Sequence, residues 1–168
     1  MTTIDPETLR RELLLDQAMN RQLDALVRRA NQAVKLLKTQ TLDQNLSESK
    51  KIQVSQLRNL LNVAVETGSL EVVVNFIRYQ IARNKDAWGG NPQDFGHQVI
   101  AALRGPVREL TEKVVAEIRV QDASFDMSSV EAEAFSRLMT LYLGYLNRAF
   151  YYAKRTGNFD DLEGVNRV

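Results

Sequence analysis

Residues Ser128 to Lys154 read SSVEAEAFSRLMTLYLGYLNRAFYYAK, and no other segment joins so strong a helix start to so much apolar area. Ser128 and Glu131 stand in capping-box spacing, the hydroxyl placed for a first-turn N–H and the carboxylate for the cap's own N–H. Ser128 is therefore the expected N-cap. Gly157 closes the far end, where a left-handed residue without a Cβ is least costly. Between them Phe135, Leu138, Met139, Tyr142, Leu146, Ala149 and Ala153 recur at three- and four-residue intervals and form one stripe. Leu141, Tyr145 and Tyr152 add a weaker second row. A helix apolar over so much of its circumference must be covered on two sides by other helices. The segment is expected to be the central helix of a bundle.

Working outward, the rest of the chain reads as helices that cover it. Asp5-Pro6 opens the first: Asp caps, and Pro stands where its missing N–H costs nothing. Leu9, Leu13, Met19, Leu23, Leu26, Val27, Ala30, Val34 and Leu37 then keep a helical period, as one long helix or as two joined near Asn20. Thr39 to Ser49 is polar and reads as a loop. A helix begins near Ser55, its expected N-cap, and ends at Gly68. Ser69 caps the next. Its Val72-Val73-Val74 run favours a strand by propensity, but Leu70, Val73, Val74, Ile77 and Ile81 hold helical spacing and no partner strand is visible. Asn91-Pro92 restarts the chain as cap and first-turn residue, and Gly105-Pro106 should kink or break the helix that follows. The tail after Gly157, NFDDLEGVNRV, reads as polar and frayed. The fold expected is all-α: a single compact bundle of five or six helices with the long C-terminal helix central.

Composition narrows the function. The 168 residues suit one helical domain over 1–168, with an N-terminal helical region and loop (1–50), a bundle core (51–157) and a polar tail (158–168). Hydrophobic content of 44% and charged content of 26% are those of an ordinary folded protein. No apolar run approaches the roughly 20 residues of a membrane span, and MTTIDPETLRRE is no signal peptide. The absence of cysteine excludes disulfides and thiolate metal sites and fits a cytoplasmic chain. A lone histidine, His97, argues against histidine metal sites and acid–base pairs. Glu131 and Glu133 near a helix start are explained by the macrodipole. There is no phosphate loop, no nucleophile elbow and no Glu-x-x-His pair, so neither an enzyme nor a cofactor is expected.

The basic side chains remain. Arg58, Arg78, Arg83 and Lys85 fall in a stretch with few acids, and Arg137, Arg148, Lys154 and Arg155 lie on or just beyond the central helix. Arg137, Arg148 and Arg155 are eleven and seven residues apart, close to whole turns, so they share one face. At ~1.5 Å rise per residue they stand about 16 Å and then about 10 Å apart, a row able to follow a phosphate backbone. The plain alternative is that these arginines only solvate an outer face. A net charge of +1 gives no global pull towards nucleic acid, so such a role needs a local basic surface. Tyr145, Tyr151 and Tyr152 suit stacking on bases as well as packing.

Three stretches taken together resemble a known family. Ser55-Gln56-Leu57-Arg58-Asn59-Leu60-Leu61, then Tyr79-Gln80-Ile81-Ala82-Arg83, then Phe135, Arg137, Met139, Tyr145, Arg148 and the tyrosines before Gly157 resemble, in order, the small helical subunit of type III-A CRISPR effector complexes, the Csm complexes. The resemblance runs from about Lys51 to Gly157. The first fifty residues form a longer N-terminal region than the family's, and Leu-Asn-Arg-Ala after Tyr145 departs from its aromatic-rich ending. Those departures leave room for a divergent subtype, type III-D-like or the type III-B counterpart. The resemblance implies a non-catalytic bundle that stacks on copies of itself beside other effector subunits. It also implies contact with target RNA and guide RNA through backbone phosphates, for which helix-borne arginines are suited. The other reading is a helical protein–protein adaptor in which the same arginines meet acidic partners.

Overall fold

In the computed structural model, which describes residues 3–163, every regular element is helical. The helices are α1 (Pro6–Asn20), α2 (Leu23–Lys35), α3 (Lys38–Leu42), α4 (Val54–Thr67), α5 (Leu70–Arg83), α6 (Lys85–Trp88), α7 (Phe95–Arg104), α8 (Pro106–Gln121) and α9 (Met127–Thr156). Single 3-10 turns occupy Glu48–Lys50 and Asp160–Leu162. The two alternatives left open by the sequence both resolve as breaks: residues 21–22 separate α1 from α2, and Gly105 separates α7 from α8. Pro106 then serves as the first residue of α8, where no N–H is needed. Seven helices of ten residues or more result, with α3 and α6 as single-turn additions.

Helix α9 is central. Leu138, Met139, Tyr142, Leu146 and Ala153 of its apolar stripe are sealed from solvent, together with Val130, Ala134, Leu143 and Phe150, which the stripe does not include. It packs chiefly on α2, α4 and α8. One continuous apolar cluster runs from Leu15 of α1 through Trp88 to Phe159 beyond α9. Burying each large side chain contributes about 1.5–3 kcal/mol, so this shared cluster is the main term holding the helices together. Trp88 is fully buried and packs on Phe95, ring centroids 5.7 Å apart. Gly68 and Gly157 end α4 and α9 with φ of 58° and 72°, the left-handed caps their positions require.

Several helix ends differ from the sequence reading. The N-cap of α9 is Asp126, whose Oδ1 accepts from the N–H groups of Ser128 and Ser129 at 3.1 and 3.4 Å. A carboxylate two residues upstream outcompetes the Ser128 hydroxyl because its charge also favours the helix macrodipole. Glu131 is thereby freed to pair with Arg108 of α8. Helix α4 starts one residue before Ser55, with Gln53 as N-cap and the Gln56 side chain accepting from its N–H at 2.9 Å. Asn91-Pro92 lies in a turn, and Asp94 precedes α7. Part of the polar loop is ordered as α3, where Gln40 accepts from the Ile52 N–H and donates to the Ala87 carbonyl. Nor does the chain fray at Gly157. Phe159 is buried, and Lys35 and Lys38 of α2 and α3 pair with Glu163 and Asp160. A single aromatic in an otherwise polar tail supplies the anchor; residues 164–168 lie outside the described part of the chain.

Candidate nucleic-acid interface

Many surface cations among the described residues are paired with acids far away in sequence. Arg10 meets Asp122 and Arg11 meets Glu133, each at 2.6 Å, and Arg21 meets Glu117. Two of the eight candidate residues belong to this class. Arg137 bonds Asp16 of α1 at 2.7 Å, half-exposed, rather than the carboxylate of Glu133 one turn earlier. Lys154 donates to Gln53 at 2.9 Å and lies 3.7 Å from Glu48. The Glu48 carboxyl is held below its ordinary value, first by the Gln53 amide and then by the Lys154 charge. Lys154 thus fastens the end of α9 to the connector before α4.

The other six, Arg58, Arg78, Arg83, Lys85, Arg148 and Arg155, are exposed and have no ion-pair partner among the described residues. They do not form one surface. Arg58 on α4 and Arg148 on α9 lie on the exposed sides of these two neighbouring helices, and Arg155 follows near the end of α9. Lys154 on Gln53 at one end and Gly68 against Ser136 at the other show these helices to be antiparallel. That register sets Arg58 level with Arg148. On α9 the row continues through half-buried Leu141 and Gly144 and exposed Tyr151 and Arg155, all within about 40° of the arginine line at ~100° per residue. Arg148 stands 6.0 Å from the centroid of the Tyr145 ring and Arg155 5.5 Å from that of Tyr151. Such cation–π contact holds a guanidinium in place without neutralising it. Tyr152, also exposed, donates its hydroxyl to Asp161, and this bond is the first cause raising the ionisation point of its phenol.

Arg83 belongs elsewhere. With Lys50, Gln56, Asn59 and Gln80 it lines an open polar recess of ≈ 480 Å³ between the start of α4 and the end of α5. Exposed Tyr79 is one turn before it. Arg78 is five residues from Arg83, roughly 140° around the helix, and two turns from Glu71, which pairs with Arg104 of α7. It therefore faces away from the recess. Lys85 opens α6 and lines a separate hollow beside Trp88. That Lys50 and the amides of the recess come together with Arg83 is not legible in the sequence, since their approach depends on how α5 folds back on α4. The same holds for a notch of ≈ 340 Å³ lined by Ala64, Val65, Ser136, Arg137, Thr140 and Leu141, in which Val65 is 64% exposed.

His97 is half-buried near the start of α7, and no cluster of three or more His, Cys, Asp or Glu is positioned to hold a metal among the described residues. Tyr142 forms the floor of a crevice below Arg29 and Gln32; its hydroxyl is buried without a partner, and burial pushes its ionisation well above the ordinary tyrosine value. No helix of the described residues is long and apolar enough to cross a membrane.

Comparison with protein-family models, curated proteins and solved structures yields no match to this chain.

Proposed function

We propose that this chain is a non-catalytic small subunit of a type III CRISPR ribonucleoprotein. It stacks along the complex with copies of itself and touches the phosphates of target RNA and guide RNA without reading sequence. The observation that carries this reading is the α4–α9 groove. Arg58, Arg148 and Arg155 keep their charge there, beside Tyr145 and Tyr151, whereas Arg10, Arg11, Arg21 and Arg104 are paired with acids. Unpaired guanidiniums interleaved with aromatic rings suit a flexible phosphodiester chain: charge for the backbone, π-faces for unstacked bases. The resemblance over Lys51–Gly157 supplies the type of assembly. A chain of net charge +1 binds such a strand weakly alone, and more tightly when several copies line one path.

The test is a salt titration of single-stranded RNA binding by the wild-type chain and by the triple variant Arg58→Ala/Arg148→Ala/Arg155→Ala. The wild type should bind with micromolar or weaker affinity, falling steeply with salt. The variant should keep its melting temperature, bind at least tenfold more weakly, and lose about 2 units of salt slope, ~0.7 for each single-strand phosphate contact. Tight, sequence-specific, salt-insensitive binding would overturn the reading, as would an unchanged affinity in the variant. The exposed Val65–Leu141 notch favours a second reading, a helical adaptor; there the triple variant leaves RNA association alone and releases a protein partner instead.

A further inference from the structure

Gly144 lies in the middle of the 30-residue α9, half-buried, and a Cβ built on it would meet nothing within 4 Å. Its φ is not positive, so the backbone there makes no use of glycine's freedom. Glycine is a poor helix former and alanine the best, so the fold itself would favour alanine at this position. Gly96 offers the contrast: a Cβ there would collide with Ile81 at 2.7 Å, and packing within the chain explains it. No neighbour within the chain explains Gly144.

Its location does point somewhere. Gly144 is seven residues after Arg137 and four before Arg148, on the arginine row of α9, one turn from Leu141 at the edge of the apolar notch. A side chain here would fill the one gap in that row. Resting on the RNA reading above, we infer that Gly144 is where the bound strand comes closest to the protein. A ribose seats over the bare backbone against Leu141, and the phosphate on its Arg148 side lies between Arg148 and, across the groove, Arg58. The apolar lining of the notch suits a sugar face, and the charge lies beside it, where phosphates belong. An approach this close requires a strand whose sugar edge is free, as in single-stranded RNA.

The inference separates stability from binding, which few substitutions do. Gly144→Ala and Gly144→Leu should both melt at or above the wild-type temperature, because each is a better helix former in open space. Fluorescence anisotropy with a mixed-sequence single-stranded RNA at low salt should show affinity reduced about threefold by Ala and at least tenfold by Leu. Unchanged RNA affinity in Gly144→Leu, with the arginine triple variant still impaired, would overturn the close approach and leave the RNA reading standing. If neither the glycine variants nor the triple variant alters affinity, or the wild type binds no RNA, both fall. Loss of self-association in Gly144→Leu with RNA affinity intact would assign the gap to helix packing between copies and overturn the inference. A lower melting temperature in Gly144→Ala would mean that the fold itself requires the glycine, and would remove its basis.

Discussion

Tyr142 carries an uncomfortable group in the core. It is fully buried at the contact of α9 with α2 and α7, and its hydroxyl has no hydrogen-bond partner. An unsatisfied buried hydroxyl costs roughly 1–3 kcal/mol of desolvation, while the ring contributes as any aromatic does. Tyr142→Phe should therefore stabilise the chain by about 1 kcal/mol, raising the melting temperature by roughly 2–4 °C for a protein of this size. The same residue makes a prediction in alkali. Burial raises its folded-state ionisation above the ~10 of a free tyrosine, with Arg29 pulling weakly the other way. Stability from the neutral buried phenol is intact below that pH and is lost as pH rises beyond it, because the unfolded chain sheds its proton first. Urea midpoints compared between pH 8 and 11 should fall further for the wild type than for Tyr142→Phe; equal losses would place the hydroxyl in contact with water. The stripe that holds Tyr142 was plain in the sequence, since three- and four-residue spacing fixes which side chains face the core. That the hydroxyl would find no partner was not, because its surroundings come from α2 and α7.

At the scale of the element, α9 shows which features of a helix can be read locally. Its span, its burial and its Gly157 end follow from short-range rules and agree with the sequence. Its start does not: two capping residues within three positions compete, and the backbone path of the preceding loop decides between them. Asp126 accepts two first-turn N–H groups, so Asp126→Ala should cost about 1 kcal/mol. Ser128→Ala should stay within about 0.5 kcal/mol, as for any surface position free of such a role. Thermal melts of the two variants decide the cap, and a larger loss from Ser128→Ala would restore the capping box. The same limit applies to the basic residues. Arg137 shares the face of Arg148 and Arg155 as its spacing required, yet Asp16 takes up its charge from 121 residues away. Helical periodicity assigns a face; it does not say which acids another helix will bring to it. Hence the arginine row on α9 was half legible, and the division of Arg58, Arg78 and Arg83 among three surroundings was not legible at all.

Across the whole molecule, the all-helical architecture and the central position of α9 were open to reading because apolar periodicity specifies both. The connections were harder. Phe159 reaches back to the core from a polar tail, and α2, from the N-terminal fifty residues, is among the principal partners of α9. Residues near both ends of the described chain thus share one cluster with those from its middle. That arrangement bears on cooperativity. At 168 residues the chain is slightly beyond the ~150 below which two-state unfolding is usual, so a separate transition is physically open to it. Trp88 is the right reporter: the single tryptophan of the chain, fully buried on α6, and packed on Phe95 at the start of α7. If the shared cluster governs unfolding, the urea transition followed by tryptophan fluorescence should coincide with that followed by far-ultraviolet circular dichroism. Both should have the same midpoint and the same slope, since slope scales with the area exposed. A fluorescence transition at lower urea would mean that α5, α6 and α7 open before α2, α4, α8 and α9. The cluster would then be continuous in space but divided in energy, and the α4–α9 groove would outlast the polar recess beside Arg83.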